Sequence, residues 1–442
     1  MKKLNFILAL FLCAAAMWAA DDPKTVSGFG RYDNSGKYTT KTYFFNGFNF
    51  GALDSFFTKN GLQESIVYNY ADIISKKPGG RYTVIGHSMG GLTALGYAGY
   101  LNQSSTPEFN KIEAVITVSG ANKGARLLRG GLGSALSRVN EKLSIVVNGG
   151  VAIGRVLVPP AMPIDIPFPN KLASAKSYLL NYAMPAITSS VFTAALNMVS
   201  ADEYAQIRDL TPESSFIKKY VSETVSHSYK RKTGTKTIVE VSPWSLLGIP
   251  IIKTRTEDVY TYYTAYEDKT KVGDTLPVAY IMGLKHNMLG MTGKENDIRK
   301  SFNAIRGAAI AAEAIHISKC VGLIGLFDGS IAHAINAQKL ASFCGNLDGE
   351  LNSLLGASEG DSFLAKEDMY YPRQFTDPNS GAIRSKAQKY LGNPPNGYFG
   401  LNKYNHQEIN PHDSKDAPMT KENKEMDDLY KQLDPLVAEA KK

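Results

Sequence analysis

The chain has 442 residues, 43% hydrophobic and 20% charged. That is ample for a large core and too long for one minimal domain, so one catalytic-sized domain with a substantial insertion fits better than two equal halves. The net charge of +8 is spread thinly with no long Lys/Arg block, which speaks against nucleic-acid binding and leaves room for weak attraction to an anionic lipid surface.

Residues 1–20 read as a removable targeting segment. Lys2 and Lys3 form a basic start, and Phe6 to Ala16 an apolar run too short to span a bilayer comfortably. Small residues Ala14 to Ala16, Ala19 and Ala20 supply a cleavage region, which implies an exported chain, periplasmic or extracellular. Cys13 follows Leu12, which is not the small residue a lipid-attachment signal wants. Removal of the segment leaves Cys320 and Cys344. An even pair in an exported chain predicts a disulfide; the alternative is two separate buried thiols.

Thr25 to Thr40 is polar and glycine-bearing and predicts an opening strand or hairpin. Tyr43-Phe44-Phe45 predicts a short buried strand leading into Asn46-Gly47-Phe48. Ala52 to Lys59 reads as helix, Ser65 to Tyr68 as strand, and Ala71 to Lys77 as a helix stopped by Pro78-Gly79-Gly80. Thr83 to Ile85 are β-formers. Behind them Leu92, Leu95, Ala98 and Leu101 recur at helical spacing. Ala114 to Val118 is another β-rich run. Region 43–124 therefore alternates strand and helix, the pattern of a parallel sheet with helices on both faces.

Between about Leu127 and Val278 the alternation stops and apolar runs are broken by prolines. Residues 127–276 read as an inserted cap or lid over the sheet, flanked by the two parts of the main domain, 21–126 and 277–442. Pro277 to Met282 predicts a strand that returns the chain to the sheet. Helices are expected over Asn296–Ala314 and Ser330–Ser342. The Cys320–Cys344 bridge would close a loop around the second, worth on the order of 3 kcal/mol. Thr420 to Ala438 predicts an amphipathic helix with Met426, Leu429, Tyr430 and Leu433 on one face.

The chemistry centres on Gly86-His87-Ser88-Met89-Gly90-Gly91, set between a strand and a helix of small residues. Such a turn projects a serine hydroxyl above the sheet edge, beside free N–H groups at a helix start. The glycines two before and two after the serine keep side chains out of a close strand–helix approach. This segment resembles the nucleophile elbow of the α/β-hydrolase superfamily, closest to its lipases. The resemblance implies an α/β-hydrolase fold, with a mostly parallel sheet, helices on both faces and an inserted cap.

The resemblance also implies roles. Ser88 is the nucleophile, and Met89 supplies one oxyanion N–H. The Asn46-Gly47-Phe48 turn is similar to the lipase His-Gly turn, which makes Phe48 the second donor; Asn46 stands where the family has His. Asn122 likewise replaces a His in a turn after Val118. Family chain order is Ser, acid, His. Of seven histidines, only His406 and His412 follow Asp361. His406 sits in Asn405-His406-Gln407-Glu408-Ile409, similar to the lipase histidine segment. Asp361, in Glu359-Gly360-Asp361-Ser362, is similar to the family acid turn; Asp328, in Asp328-Gly329, competes, and its other reading is a helix N-terminal aspartate. Ser362 stands where the family has Gly, tolerable if φ stays negative.

The expectation is an exported Ser88–Asp361–His406 hydrolase of carboxylic esters, lipase-like, acting on lipid or other esters. It requires no cofactor or metal and allows transient contact with a lipid interface. A short-chain esterase or thioesterase would use the same residues. A catalytically silent hydrolase fold that binds at the cell surface is the alternative of another class.

Overall fold

A computed structural model describes residues 24–27, 40–45, 47, 62–129, 137–138, 141–142, 144–146, 148–153, 208–242, 251–287, 295–321, 329–353, 356, 359–377, 381–392, 396–406, 408–409 and 424–439. The expected targeting segment and the expected helix at 52–59 lie outside these residues. So do Asn46, Phe48, Asp328, His412 and most of the apolar insertion.

The sheet is built from strands β1 (Lys24–Ser27), β2 (Lys41–Phe45), β3 (Tyr82–His87), β4 (Ile112–Val118), β7 (Val278–Gly283) and β10 (Phe399–Leu401), while β8 (Gln374–Thr376) and β9 (Ile383–Ser385) pair with each other apart from it. Their spatial order is β1-β2-β3-β4-β7-β10. β1 runs antiparallel to β2, and the other five are mutually parallel. The strands read as near-continuous apolar runs because both faces are covered. One face puts Tyr43, Phe45, Val84, Val115 and Tyr280 against helices α1 (Leu62–Lys76) and α2 (Met89–Gln103). The other puts Phe44, Ile85, Ile116 and Ile281 against Leu429, Tyr430, Leu433 and Val437. These four belong to the C-terminal helix, α5 (Lys424–Glu439), which docks as its amphipathic pattern predicts.

Ser65 to Tyr68 is not a strand; it lies inside α1. The adjacent β-branched pair Ile66-Val67 imitates a strand locally. Ile66, Val67, Tyr70 and Ile74 together form one helical stripe in the core, and that longer period prevails.

Helices α3 (Glu295–Val321) and α4 (Ser330–Gly345) form an antiparallel pair. Phe302 meets Phe343 with ring centroids 6.3 Å apart, and His316 meets His333 at 5.2 Å. This pairing overturns the expected disulfide: Cys320 and Cys344 are both free thiols. Cys344 packs beside Arg306, and fourteen residues of α3, about 21 Å of helix, separate Arg306 from Cys320. A disulfide needs Cα atoms within about 7 Å. The Cys320 thiol instead donates to the His316 carbonyl, 3.1 Å away. Burial pushes the Cys344 thiol up to about 12, with the Arg306 charge pulling the other way. Unreduced protein expressed without residues 1–20, which removes Cys13, is therefore expected to give two thiols with Ellman's reagent in denaturant, with Cys344 protected in the native state. No reactive thiol after denaturation would contradict the fold of this hairpin.

The described part of the insertion holds a long two-stranded ribbon, β5 (Ser222–Ser242) paired antiparallel with β6 (Ile251–Thr270). Only its base, around Glu267 and Thr270, is buried. Ile252, expected in an apolar run packing over the sheet, is 63% exposed. A ribbon open on both faces needs no hydrophobic alternation, so its only sequence signal is a wealth of Thr, Val and Tyr.

Candidate active site

All five parallel strands end at one edge of the sheet, where α/β proteins place their sites. β3 runs directly into α2 through Ser88, whose backbone sits at φ 58° and ψ −128°. A non-glycine residue there is strained. The turn is held by the Ser88 N–H donating to Val118, 3.1 Å, and by Gly91 and Ala121 N–H donating to the Ser88 carbonyl, both at 3.0 Å. The close approach that needs glycine is real: a Cβ at Gly86 would stand 2.0 Å from the Gly90 carbonyl oxygen. Gly86→Ala should therefore cost at least about 3 kcal/mol, read as a lowered urea midpoint; an unchanged midpoint would refute this geometry.

The structure brings Ser88, His406 and Asp361 together across 318 and 45 residues of chain. The His406 Nε2 lies 2.8 Å from the Ser88 Oγ. Its Nδ1 lies 2.6 Å from the Asp361 Oδ2. A carboxylate only accepts, so Nδ1 carries the proton and Nε2 takes the hydroxyl's. Asp361 is fully buried, and His406 and Ser88 are nearly so.

The supports of His406 explain its segment. Its N–H donates to the Asp361 carbonyl at 2.8 Å. Asn405 and Glu408 exchange hydrogen bonds of 2.9 and 3.0 Å, and Ile409 anchors in the core. Lys285 pairs with Glu408 at 2.9 Å. The Phe363 ring lies 4.9 Å from the imidazole. His87, beside Ser88, turns its ring to the histidine segment: its Nε2–H donates to the His406 carbonyl at 2.8 Å. Burial and the neighbouring His406 ring hold His87 down to about 3, so it stays neutral.

Burial alone would raise the Asp361 carboxyl. The His406 imidazole and the N–H groups of Leu364 (2.8 Å) and Phe363 (3.0 Å), both donating to Oδ1, outweigh it and hold the group below its usual range. Asp361 does not follow a strand of the sheet directly. It belongs to a turn bridged at Gly360 and Ala365. Ser362 adopts φ 82°, contrary to the negative φ expected of a serine there. Its hydroxyl offsets the strain by donating to the Lys285 carbonyl, 2.9 Å, and accepting from the Asn287 N–H, 2.7 Å. These two bonds tie the acid turn to the end of β7.

Met89 is the first residue of α2, so its N–H has no intrahelical acceptor and sits at the positive end of the helix dipole. A Cβ at Gly47 would lie 3.1 Å from the Ser88 Cβ, which puts the end of β2 against Ser88. Asn122 is buried structure: its amide donates to Thr117 Oγ1 at 2.9 Å and to the Met369 carbonyl.

His286 was not anticipated at this site. It follows β7, half-buried, with neither ring nitrogen hydrogen-bonded among the described residues; burial lowers it, opposed by the Asp361 charge. Only the order of strands, not any local motif, places it there. His227 lies elsewhere, at the ribbon base, bonded to Glu267 at 2.9 Å in the wall of a separate cavity of about 630 Å³. Among the described residues, no three His, Cys, Asp or Glu side chains gather to hold a metal ion.

No family model, no curated protein and no solved structure matches the chain.

Proposed function

We propose that the protein is an exported serine hydrolase of the α/β-hydrolase fold that cleaves carboxylic esters, with lipid esters as the favoured substrates. The observation that carries the reading is the unbroken relay from Ser88 Oγ through His406 to Asp361, with links of 2.8 and 2.6 Å. A serine hydroxyl is a weak nucleophile until a base takes its proton, and an imidazole serves only when a carboxylate fixes its tautomer. In the proposed reaction Ser88 Oγ attacks the acyl carbonyl and its proton passes to His406 Nε2. The tetrahedral oxygen is held by the Met89 N–H, with Phe48 the expected second donor. His406 then protonates the leaving alkoxide, and the acyl-serine forms. Water, deprotonated by His406, releases the acid.

The strained turn at Ser88 and the parallel sheet of at least five strands support the fold assignment, and the basic-apolar start of the chain supports export. The preference for lipid rests on the resemblance of the elbow to lipases and on the apolar insertion.

The test is a p-nitrophenyl ester series of increasing chain length, with fluorophosphonate titration. Hydrolysis abolished by one equivalent of fluorophosphonate supports the reading, and a rate rising toward long chains supports lipid esters. A short-chain optimum would make it an esterase. Folded protein that neither turns over nor labels would sink the enzyme and leave the surface-binding alternative.

A further inference from the structure

We infer that the cavity between the base of the β5–β6 ribbon and the β8–β9 hairpin is a binding site for a short peptide with free termini. The inference is independent of the ester reading, since it needs no chemistry at Ser88.

The cavity encloses about 630 Å³, within the range of small-molecule sites. Val225, His227, Glu267 and Lys269 line one wall; they alternate along the paired strands and so share one face of the ribbon. Phe375 and residues 384–388 form the facing wall. A polar chain joins the two: His227 Nε2 meets Glu267 Oε2 at 2.9 Å, and Glu267 Oε1 meets Lys386 Nζ at 3.3 Å. Only 2% of the Lys386 side chain is exposed. Burying such a pair costs more than filling the same space with apolar groups, so packing alone gives no reason for it. Gln388 is 7% exposed. Its Nε2 donates to Thr270 Oγ1 at 2.7 Å, while its Oε1 has no partner among the described residues. A buried acceptor left unpaired is destabilising, and a donor on a bound molecule relieves it.

The charges of the lining select the ligand. Asp274 sits beside Gln388, its carbonyl accepting from the Lys389 N–H at 3.0 Å, and its carboxylate enters no ion pair among the described residues. An ammonium group there donates to Asp274 and to Gln388 Oε1 at once. Arg384 stands at the other end of the same segment, its Nε 3.7 Å from Asp377. A guanidinium has five N–H donors, enough for Asp377 and for a ligand carboxylate. Lys269 is the other cation of the rim, 3.5 Å from Glu223. Lys269, Arg384 and Lys386 thus face Glu267 and Asp274, and Glu223 and Asp377 stand behind two of the cations, so neither sign prevails. A ligand of one charge gains at one end and loses at the other, whereas a zwitterion gains at both. Arg384 and Gln388 are four residues apart, at most about 14 Å of chain. An α-amino acid carries both charges on one carbon and falls short of that span. A peptide of two or three residues covers it at about 3.3 Å per residue, and Val225 and Phe375 offer apolar surface to its side chains.

The test titrates the dipeptide alanyl-leucine into protein expressed without residues 1–20 and follows the heat. Saturable binding is expected, weakened at least about tenfold when the dipeptide is N-acetylated or carried as its C-terminal amide. Asp274→Asn should weaken the free dipeptide about tenfold and leave the N-acetyl form unaffected; Arg384→Gln should weaken it as much and spare the amide. Both side chains are exposed, and a melting curve for each checks the fold. Gln388→Met, which removes the unpaired acceptor, should also weaken binding about tenfold; should it fail to fold, Asp274→Asn decides. Ser88→Ala should bind as the parent does, and loss of binding there would assign the peptide to the triad and overturn the inference. No heat with millimolar dipeptide overturns it, as does equal binding of the blocked forms. So does a crystal grown with the dipeptide that shows only ordered water against Gln388. Binding without ester hydrolysis would keep the peptide site and remove the enzyme; hydrolysis without binding would do the reverse.

Discussion

Ser88→Ala is expected to lower kcat/KM on a p-nitrophenyl ester by at least about 10⁴-fold and to abolish fluorophosphonate labelling. The size follows from what the residue alone supplies. His406 and Asp361 keep their 2.6 Å bond without the hydroxyl, but there is no atom left to take the acyl group. Water could still be activated by His406, which is why a small residue of activity would remain. The fold should survive, because Ser88 is held by its backbone: its N–H to Val118 and its carbonyl to Gly91 and Ala121. The melting temperature should therefore move little, since alanine inherits the same positive φ. Activity within tenfold of the parent would show that another nucleophile acts, and the proposed mechanism would fail. Unfolding would point instead to a structural role for the hydroxyl, and Ser88→Cys, with its slower but measurable acyl transfer, would separate the two.

Much of this was legible along the chain, for local reasons. The elbow can be read because strand, glycines, serine and helix are contiguous, and each depends on its neighbour's backbone. His406 can be read because Asn405, Glu408 and Ile409 brace it within a few residues. What stayed hidden depends on contacts remote in sequence. The Cys320–Cys344 pairing failed because cysteine counting ignores direction, and an antiparallel helix pair sends the two thiols to opposite ends. The positive φ of Ser362 depends on Lys285 and Asn287, more than 70 residues away. His286 enters the site because β7 lies beside β4 and β10. The ribbon was missed since periodicity detects burial, and a strand pair surrounded by water has none to detect.

Asp361→Asn should lower kcat by about 10³- to 10⁴-fold at neutral pH with little change in KM. The amide retains the shape, but its single oxygen can serve either the Phe363 and Leu364 N–H groups or His406, not both. At Oδ2, however, a carboxylate that accepts from His406 Nδ1 becomes either an amide NH₂, which forces the imidazole to carry its proton on Nε2, or a neutral oxygen that no longer stabilises the imidazolium. In the first case Nε2 cannot accept the Ser88 proton. The substitution also separates the two candidate acids: loss here with full activity in Asp328→Asn supports the relay, and the opposite pattern would replace Asp361. A second readout concerns stability. The Asp361 carboxyl is depressed in the folded state, so its ionised form stabilises the protein above the unfolded pKa, and that contribution is lost as pH falls through the folded one. Urea midpoints of parent and Asp361→Asn should therefore differ most at neutral pH and converge on acidification below the ordinary carboxylate range. Midpoints that diverge in acid would mean that burial outweighs His406 and the two N–H donors, leaving the acid protonated and unable to hold an imidazolium.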